Sequence, residues 1–599
     1  MGKTHSTNTK TLWWLVTILL FAFFVRVLYL DAQSLWADEA YTYIATQSDT
    51  FFQTIIGDVH PPLYFMLIRA WTWVAGTSEF SLRFPSVLAG VLALGALVAV
   101  AREITHLRPH PNQLVIPVLA GLLFALSDLE VMVAQEARSY TLSGLLVTLS
   151  LLMYLRWLRT DKWQLGVAFI VSTLLVTFTF YIGVFSSFAI GVHALFFLRG
   201  RQRITAIGML VVSALLFVPW LWFVIIQQQI GKFAGHVVPA YESNLETLWY
   251  FRLSWFTDQW ALMLGLFLLG FVVVQRTATG YRLQQPRWHI IALLTLWITI
   301  PLGLAFALNN VLPVLYDYRL TQITIPIIIL TAYGLANLDA LARYTLVAVI
   351  IVYGVFIVDV FRPKLPWENY AEQVTEYVRE GQGVISEMGG GDYTFNYYLT
   401  PLLPDSITWA STWQWRLESP ETYESDMLGY ADAYDSVWLA RWIDDSDAET
   451  KLRATNHIPT YSDSLIYQGS ILEIIRFDRL PESNVVRFDN GMVLRHSVVH
   501  DDGLVDLWWT TEQTLATDYV VSVKILAPDG FVVAQEDIQP QVGNQPTSTW
   551  QANTTIYDPH ALNTPVGDNN VMVQLYSWEN GTLTLVTSEL GDDFFILLD

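Results

Sequence analysis

The sequence predicts a polytopic α-helical membrane protein whose chain continues into an extracytoplasmic α/β segment and a β-sandwich. Of its 599 residues, 53% are hydrophobic and only 15% are charged, whereas soluble domains carry about 25% charged residues. Apolar runs long enough to cross about 30 Å of hydrocarbon recur through residues 11–361. Residues 1–361 carry a net charge of +4 and residues 362–599 a net charge of −25. These observations predict a membrane-embedded first part and an acidic, water-exposed second part.

About eleven apolar runs qualify as membrane spans. They are residues 11–30, 84–101, 114–129, 141–158, 165–181, 183–198, 205–226, 259–274, 288–308, 320–336 and 344–361. The first run is too long for the apolar region of a signal peptide and has no small-residue cleavage site before Asp31, so we expect it to be retained as a span. The chain has no cysteine, which excludes disulfides, thiolate metal sites and cysteine nucleophiles.

The distribution of basic residues predicts the orientation of the spans. With Lys3 and Lys10 in the cytoplasm, the inner segments hold 14 lysines and arginines, and the outer segments before residue 362 hold 6. Cytoplasmic loops are enriched in these residues, so we expect an integral plasma-membrane protein with a cytoplasmic N-terminus. The odd number of spans then places the C-terminal domains outside. Their strongly negative charge repels phosphate, which argues against nucleic acid as a partner.

Composition divides the chain into three predicted domains, residues 1–361, 362–482 and 483–599. The first holds the spans. The second opens with a helical segment and continues in short apolar strands, which is typical of a small α/β domain. The third consists of short alternating segments with a hairpin turn at Asp529-Gly530, which is typical of a β-sandwich. We interpret the aromatic residues of this third domain as core, with stacking on sugars as the alternative.

The first outer loop is long and is predicted to hold two further helices. Residues 38–56 and 60–76 have helical apolar spacing but too few apolar residues to cross a membrane comfortably. We therefore expect both helices to lie in the membrane interface. The second begins at Pro61-Pro62, because proline suits the first turn of a helix.

Side chains capable of chemistry cluster at the predicted outer ends of the spans. Two adjacent carboxylates, Asp38 and Glu39, follow the first span among tryptophan and tyrosine residues, which favour the headgroup level of a membrane. The other candidates are Asp58 and His60 in "DVHPPLY", Arg138 and Tyr140 in "QEARSYT", and Tyr318 and Arg319 in "YDYRL".

The order of several motifs adds a family resemblance. The segments "LWADEAYTY", "DVHPPLYF", "SLRFPSVLAG" and "QEARSYTL" resemble those of GT-C membrane glycosyltransferases, above all glycosyltransferase family 39 and its relatives, the protein O-mannosyltransferases and the lipid A aminoarabinose transferase. The resemblance covers about the first 370 residues, including "LPWENYA" after the last span. It implies the GT-C fold and a sugar donor on a polyprenyl-phosphate carrier at the outer leaflet. It also implies a carboxylate base and an acceptor hydroxyl on a protein, a lipid or a glycan.

The resemblance suggests roles for the acidic pair. A carboxylate can take the proton that an acceptor hydroxyl loses as it attacks the anomeric carbon, and Asp38 matches the aspartate of the family's acidic pair. The alternative is that Asp38 caps the following helix and favours its dipole. Glu39 is a second catalytic candidate, which either shapes the acceptor site or supports Asp38. Arg83, in "SLRFP", is interpreted as a structural turn or a lipid contact.

The remaining candidates are assigned to the donor phosphate and the acceptor. Arg319 and Arg138 are expected to bind the phosphate, because arginine suits bidentate phosphate contacts; ordinary snorkelling to the interface is the alternative. Tyr318 and Tyr140 are expected to donate to the same phosphate, or else to belong to an aromatic belt.

Asp58 and His60 are expected to shape the acceptor site, or else to be hydrogen-bonded structural residues. No cofactor is implied. Some GT-C enzymes with diphosphate carriers need a divalent metal, whereas the monophosphate-carrier enzymes that this chain resembles generally do not, so no metal is expected. Metal binding at His60 is the alternative.

The sequence therefore predicts an inverting glycosyltransferase of the cell envelope, with the acceptor entering near residues 227–258 and the tail. One alternative is a transporter or flippase for lipid-linked sugars. It needs ionisable residues near the midplane, whereas most charges here lie at span ends. The other alternative is a non-catalytic, glycan-binding assembly protein whose tail performs the function.

Overall fold

The computed structural model describes residues 2–233, 241–256, 260–277, 280–284, 288–309, 314–442, 447–454, 457–479, 486–552, 555–579 and 581–597. The chain forms two compact units, Met1–Leu365 and Pro366–Asp599. The first holds the apolar helices and the second is rich in strands. Residues 362–365, which were predicted to open the α/β domain, belong to the first unit.

The first unit is helical. Its described α-helices, α1 to α16 in chain order, are Gly2–Val27, Ala37–Gln47, Phe51–Gly57, Pro62–Ala75, Glu79–Leu107, Ile116–Ala125, Asp128–Ala134, Tyr140–Thr160, Trp163–Thr179, Val184–Phe197, Gly200–Phe233, Leu245–Phe256, Trp260–Leu269, Trp288–Leu308, Thr324–Asn337 and Ala340–Ile357. Short 3-10 helices, Tyr181–Gly183 and Tyr318–Ile323, precede α10 and α15. A hairpin of β1 (Val273–Thr277) and β2 (Gly280–Gln284) follows α13. Helix α5 packs against α6 and α8, and α13 packs against α15, around a common apolar core.

Each of the eleven predicted spans coincides with an apolar helix of the described chain. Among the described residues, five helices are long and apolar enough to cross a membrane, and α6 with α7, bent by 59°, gives a sixth if the pair is one broken span. Five further apolar helical stretches have 10–17 residues, namely Thr11–Val27, Trp163–Thr179, Tyr181–Phe197, Trp260–Leu269 and Ala340–Phe356. The predicted span at 259–274 is the largest departure, because α13 ends at Leu269 and the chain turns into the β1–β2 hairpin.

A pair of glycines explains how short α13 is held. A Cβ atom on Gly270 would lie 1.9 Å from the Leu330 carbonyl oxygen, and one on Gly334 would lie 1.9 Å from the Leu266 carbonyl oxygen. The backbones of α13 and α15 therefore touch directly, which only residues without a Cβ allow. Of the predicted acceptor-entry loop, residues 234–240 and 257–258 lie outside the described chain.

The first outer loop differs from its prediction in one respect. The helix expected over 38–56 is broken into α2 and α3 by residues 48–50, where Ser48 and Thr50 hydrogen-bond each other. The helix expected over 60–76 is α4, and it begins at Pro62. Proline is tolerated there because the first helical N–H has no acceptor to lose.

The second unit contains three sheets. Its described helices, α17 to α21, are Trp367–Tyr377, Asp392–Leu399, Thr412–Glu418, Tyr423–Asp432 and Asp447–Ala454. Its strands, β3 to β16, are Gly383–Glu387, Trp409–Ser411, Ser436–Arg441, His457–Tyr467, Ser470–Arg479, Val486–Arg487, Met492–Val499, Leu504–Thr511, Tyr519–Leu526, Val532–Ile538, Ile556–Ala561, Asn570–Glu579, Thr582–Leu585 and Phe595–Leu597.

The strand order separates an α/β layer from a sandwich. The first sheet runs β4-β3-β5-β7-β6, with β3 parallel to β4 and β5 and the remaining pairs antiparallel. The other two sheets, β13-β10-β9-β8 and β12-β11-β14-β15 with β16, are antiparallel. They face each other across one apolar core that includes Trp509, Val523 and Val573. The turn predicted at Asp529-Gly530 joins β11 to β12.

Candidate active site

A buried arginine fixes the turn between α1 and α2. Arg83, in the second turn of α5, is 2% exposed. Its Nη1 donates to the carbonyl oxygens of Leu30 and Gln33 at 2.8 and 2.9 Å, and its Nη2 donates to that of Ser34 at 3.0 Å. A guanidinium has five donors in a rigid plane, so one side chain can hold three carbonyls of this turn. Of the two interpretations of Arg83, structural turn and lipid contact, these contacts favour the structural one, in which Arg83 anchors the turn after α1.

The same arginine binds Glu39. Arg83 Nε and Nη2 each lie 2.8 Å from one carboxylate oxygen of Glu39. The Nζ of Lys364 and the backbone N–H of Ala137 donate to the same carboxylate at 2.7 and 2.8 Å. Burial opposes ionisation of Glu39, but the charges and hydrogen bonds of Arg83 and Lys364 outweigh it and hold the pKa of the carboxyl well below its usual range. Glu39 is thus a buried, ionised junction of four segments, with 0% of its surface exposed.

Asp38 has the opposite environment. Its side chain is 38% exposed, and its carboxylate lies 3.5 Å from Nη2 of the buried Arg138. Arg138 also donates to the Asp38 carbonyl oxygen at 3.0 Å. Burial disfavours the charge on Arg138, but Asp38 outweighs it and raises the pKa of the guanidinium, so Arg138 stays positive. The acidic pair therefore divides into one enclosed carboxylate and one that faces open space beside a cation.

Arg138 continues the contact to His60 and Asp58. Its Nη2 lies 2.9 Å from His60 Nε2, and His60 Nδ1 lies 3.0 Å from an Asp58 oxygen. Because a guanidinium only donates, Nε2 must carry the lone pair and Nδ1 the proton. Burial raises the pKa of Asp58, but His60 and Arg138 outweigh this effect and lower it. The structure thus joins Asp58, His60, Arg138 and Asp38 in one chain of polar contacts.

The backbone of the His60 segment is held from another helix. Gln227, in α11, donates from Nε2 to the carbonyl oxygens of Ile55 and His60 at 3.0 and 3.2 Å. Its Oε1 accepts from the Tyr181 hydroxyl at 2.7 Å. These contacts fix the segment between α3 and α4, so the His60 ring is presented to Arg138 by a supported loop.

The other predicted residues form an aromatic cluster beside Asp38. The rings of Tyr140 and Tyr318 lie 5.2 Å apart, and those of Tyr316 and Tyr318 also lie 5.2 Å apart. The Arg319 guanidinium stands 4.5 Å above the Tyr316 ring. The charge of Asp38 acts on the hydroxyls of Tyr140 and Tyr318, so this cluster adjoins the Asp38 carboxylate.

Glu136 is a further acidic group at this site, and the sequence analysis did not single it out. Burial raises the pKa of its carboxyl to about 7, and the charges of Lys364, Glu39, Asp38 and Arg138 all act on it. It precedes Ala137 and Arg138, which contact the acidic pair. A carboxyl with such a pKa can hold or release a proton near neutrality.

Arg83 and Lys364 were missed as site residues because their partner Glu39 is 44 and 325 positions away. One sequence signal does point to Lys364. With Arg362 it lies just after the last span, on the side predicted to be outside, where basic residues are normally scarce. Arg362 in turn forms an ion pair with Asp128, so both exceptions to the charge rule have carboxylate partners.

Comparison with known proteins shows the fold. No family model and no curated protein matches the chain. The crystal structure of ArnT from Cupriavidus metallidurans bound to undecaprenyl phosphate matches with a TM-score of 0.53 at 12% identity, over 77% of this chain and 98% of that one. The apo structure of the same enzyme matches with a TM-score of 0.54 at 12% identity, over 77% and 97%. The chain therefore has the GT-C fold, as the motifs implied.

Proposed function

We propose that the protein is an inverting glycosyltransferase that moves a sugar from a polyprenyl-phosphate carrier to an acceptor hydroxyl. The observation that carries the proposal is the division of the acidic pair within a GT-C fold. Asp38 is the carboxylate that stays open beside the buried cation Arg138, whereas Glu39 is enclosed by its donors. A catalytic base must reach the proton that it takes, and Asp38 meets this condition.

The reaction follows from these positions. The acceptor hydroxyl gives its proton to the Asp38 carboxylate while its oxygen attacks the anomeric carbon. The bond between that carbon and the phosphate oxygen breaks, and the electron pair leaves with the carrier phosphate. Attack opposite to the leaving phosphate inverts the anomeric centre. Arg138 keeps the Asp38 carboxylate oriented, and His60 and Asp58 hold Arg138 in place while shaping the acceptor side.

The aromatic cluster is the proposed place for the donor phosphate. Arg319 supplies a charge, and the hydroxyls of Tyr318 and Tyr140 supply donors close to Asp38. Cations and donors aimed at a leaving phosphate stabilise the transition state. The undecaprenyl phosphate bound in the ArnT neighbour supports a carrier of this class. Arg138 contributes positive charge from the Asp38 side.

Glu39 has a positioning role in this proposal. It ties α2 to α5, to the Ala137 segment and to Lys364, so it sets the direction in which Asp38 points. The apolar helices support an integral membrane location. The excess of basic residues in alternate loops supports a cytoplasmic N-terminus, with the site and the tail on the outer side. No metal or other cofactor takes part in the proposed step.

The test measures carrier release by the purified full-length protein. A panel of polyprenyl-phosphate sugars is offered with peptide, lipid and glycan acceptors, and the free carrier phosphate is quantified. We expect the wild type to release carrier with one donor class. Asp38→Asn is expected to lower the rate by about 10² to 10⁴, because the base contributes that much. Chelation of divalent metals is expected to leave the rate unchanged.

Asp49→Asn is the matched control. Asp49 is an exposed carboxylate of the same outer loop, between α2 and α3, so its replacement changes charge without touching the site. Equal rates for Asp38→Asn and Asp49→Asn would remove Asp38 from the role of base. Absence of release with every donor would favour a glycan-binding protein, and movement of intact donor across a vesicle membrane would favour the flippase.

A further inference from the structure

The end of the membrane unit opposite Asp38 contains a second buried arginine. Helix α5 has 29 residues, and a residue rises about 1.5 Å along a helix, so Arg108 lies about 38 Å from Arg83. Arg108 is 2% exposed. Its Nη1 donates to the Gly270 carbonyl oxygen at 2.9 Å, and its guanidinium lies 4.5 Å above the Tyr333 ring. These contacts hold the plane of the group.

The other edge of this guanidinium makes no hydrogen bond to any described residue. Arg108 Nε and Nη2 are buried and make no hydrogen bond in the described part of the chain. No other arginine of the described chain has both atoms buried and unbonded. Nε and Nη2 form the edge that grips an oxyanion through two parallel hydrogen bonds. In Arg83 these same two atoms hold the Glu39 carboxylate. The Arg108 edge is therefore shaped for an anion.

A second arginine lies close by. Arg343, in the first turn of α16, is 6% exposed, and its Nε is also buried without a partner among the described residues. The charges of Arg108 and Arg343 both act on the His110 ring. That ring accepts from the Asn112 N–H at Nδ1 and so donates from Nε2 to Asn337. With both ring nitrogens engaged in this way, His110 is neutral and supplies no negative charge to either arginine.

Among the described residues, no carboxylate forms an ion pair with either of these arginines. The hairpin after Gly270 cannot supply one, because residues 259–316 contain neither aspartate nor glutamate. The acid nearest to Arg343 in sequence, Asp339, uses its side chain to accept from the Ala342 N–H at 3.0 Å, as a cap of α16. A buried cation without an anion is costly, so we expect these arginines to take a negative partner that the described residues do not provide.

We infer that Arg108 and Arg343 form a phosphate-binding site at the end of the membrane unit opposite Asp38. The Nε–Nη2 edge of Arg108 and the Nε of Arg343 supply donors that match the oxygens of a phosphate group. Basic pockets between the ends of membrane helices bind the headgroups of anionic lipids. The ligand is therefore a phosphate that belongs to a phospholipid headgroup or is free in solution. Its binding is separate from sugar transfer and from the proposed function.

The test uses the delipidated full-length protein in neutral detergent and follows its thermal unfolding. The probes are short-chain phosphatidylglycerol, diacylglycerol of the same chain length, which lacks the phosphate, and inorganic phosphate. We expect phosphatidylglycerol to raise the midpoint of unfolding and diacylglycerol to leave it unchanged. A shift by phosphatidylglycerol alone identifies a lipid headgroup, and an equal shift by inorganic phosphate identifies the free anion.

Variants distinguish this site from general charge attraction. Arg343→Gln and Arg108→Gln are each expected to weaken phosphatidylglycerol at least about 10-fold, since each removes charge-assisted hydrogen bonds. Arg102→Gln is the matched control, because Arg102 is exposed on the same helix α5, and it should bind as the wild type does. If Arg108→Gln does not fold, Arg343→Gln alone decides. No shift with either phosphate probe, undiminished binding in Arg343→Gln, or an equal loss in Arg102→Gln would overturn the inference.

Discussion

The two ends of helix α5 carry buried arginines with opposite surroundings. Near its start, Nε and Nη2 of Arg83 hold both oxygens of Glu39, and the rest of the guanidinium is used by the turn after α1. Near its end, the same two atoms of Arg108 have no partner in the described chain. The donors of Arg83 are thus used by groups of the chain itself. Burial alone therefore does not identify an arginine as part of a binding site. An arginine is a candidate for binding when some of its buried donors have no hydrogen-bond acceptor among the described residues.

The largest loss of folding stability is expected for Arg83→Met. This change leaves the buried Glu39 carboxylate without its main cation, and breaking one side of a buried pair costs about 3–5 kcal/mol. Reversible unfolding in mixed micelles measures the loss, and carrier release should fall with it. Arg83→Met combined with Glu39→Leu should recover part of the stability, because no charge is then left alone. A single variant as stable as the wild type would contradict the view that this end is a matched pair.

A second matched cluster, in the tail, extends the comparison to pH. His560 is buried, and its two ring nitrogens lie 3.0 Å from oxygens of Asp558 and Glu536. Burial lowers the pKa of this histidine, but Asp558 and Glu536 outweigh it and raise the pKa to about 9. An unfolded histidine titrates near about 6.5. The stabilisation is therefore complete below about pH 6.5 and is lost as pH rises through 9.

The expected size of this effect is up to about 3 kcal/mol, from about 1.36 kcal/mol per pKa unit. This loss of stability is measured by hydrogen exchange of strand β13 in the full-length protein. The exchange is followed from pH 6 to pH 10 and corrected for the intrinsic exchange rate. His560→Gln should be less stable at low pH and should show a flatter pH profile. An unchanged profile in this variant would assign the pH dependence to other groups.

A smaller effect is expected at His60, whose ring accepts from Arg138 Nη2, the same atom that lies 3.5 Å from the Asp38 carboxylate. His60→Ala removes the acceptor at 2.9 Å from Nη2, and loss of a hydrogen bond to a charged group corresponds to about 10-fold or more. We expect kcat of carrier release to fall by that factor. His60→Gln keeps an acceptor and should restore most of kcat. Failure of glutamine to do better than alanine would show that the ring serves another purpose.

The smallest effect on stability is expected for Arg108→Met in phosphate-free detergent. The change removes the bond to Gly270, worth about 1 kcal/mol, but it also removes a buried charge that has no counterion. The net change should stay below about 1 kcal/mol. Unfolding under the conditions used for Arg83→Met gives a direct contrast. A loss as large as that at Arg83 would mean that Arg108 is fully compensated inside the chain.

Most of the fold could be predicted from local sequence patterns. The apolar runs coincide with helices and the alternating segments with strands, because 18 or so apolar residues and a period of two are each encoded over a short stretch. The failures are also physical. Residues 259–274 satisfy the composition of a span, but the contact of Gly270 and Gly334 with the opposite backbone is decided by helix packing, which composition does not encode.

Some members of the candidate site could be predicted from the sequence, but its connections could not. Motif order brought together Asp38, Asp58, His60 and Arg138, which the structure joins. The partition of the acidic pair was not predictable, because Asp38 and Glu39 are neighbours with the same chemistry and differ only in the helix face that each occupies. The enclosure of Glu39 depends on Arg83, Lys364 and the Ala137 N–H, whose distance in sequence hides them from any local pattern.

The contact of Lys364 with Glu39 also orders events during synthesis. The turn after α1 and its Arg83 anchor are complete once about the first hundred residues have emerged, whereas Lys364 follows 325 positions after Glu39. A chain that stops at residue 361 holds all the proposed catalytic groups yet lacks this donor. The outer loop can therefore reach its final form only after every membrane helix has been made. Lys364, the last donor to Glu39, is synthesised immediately before the tail.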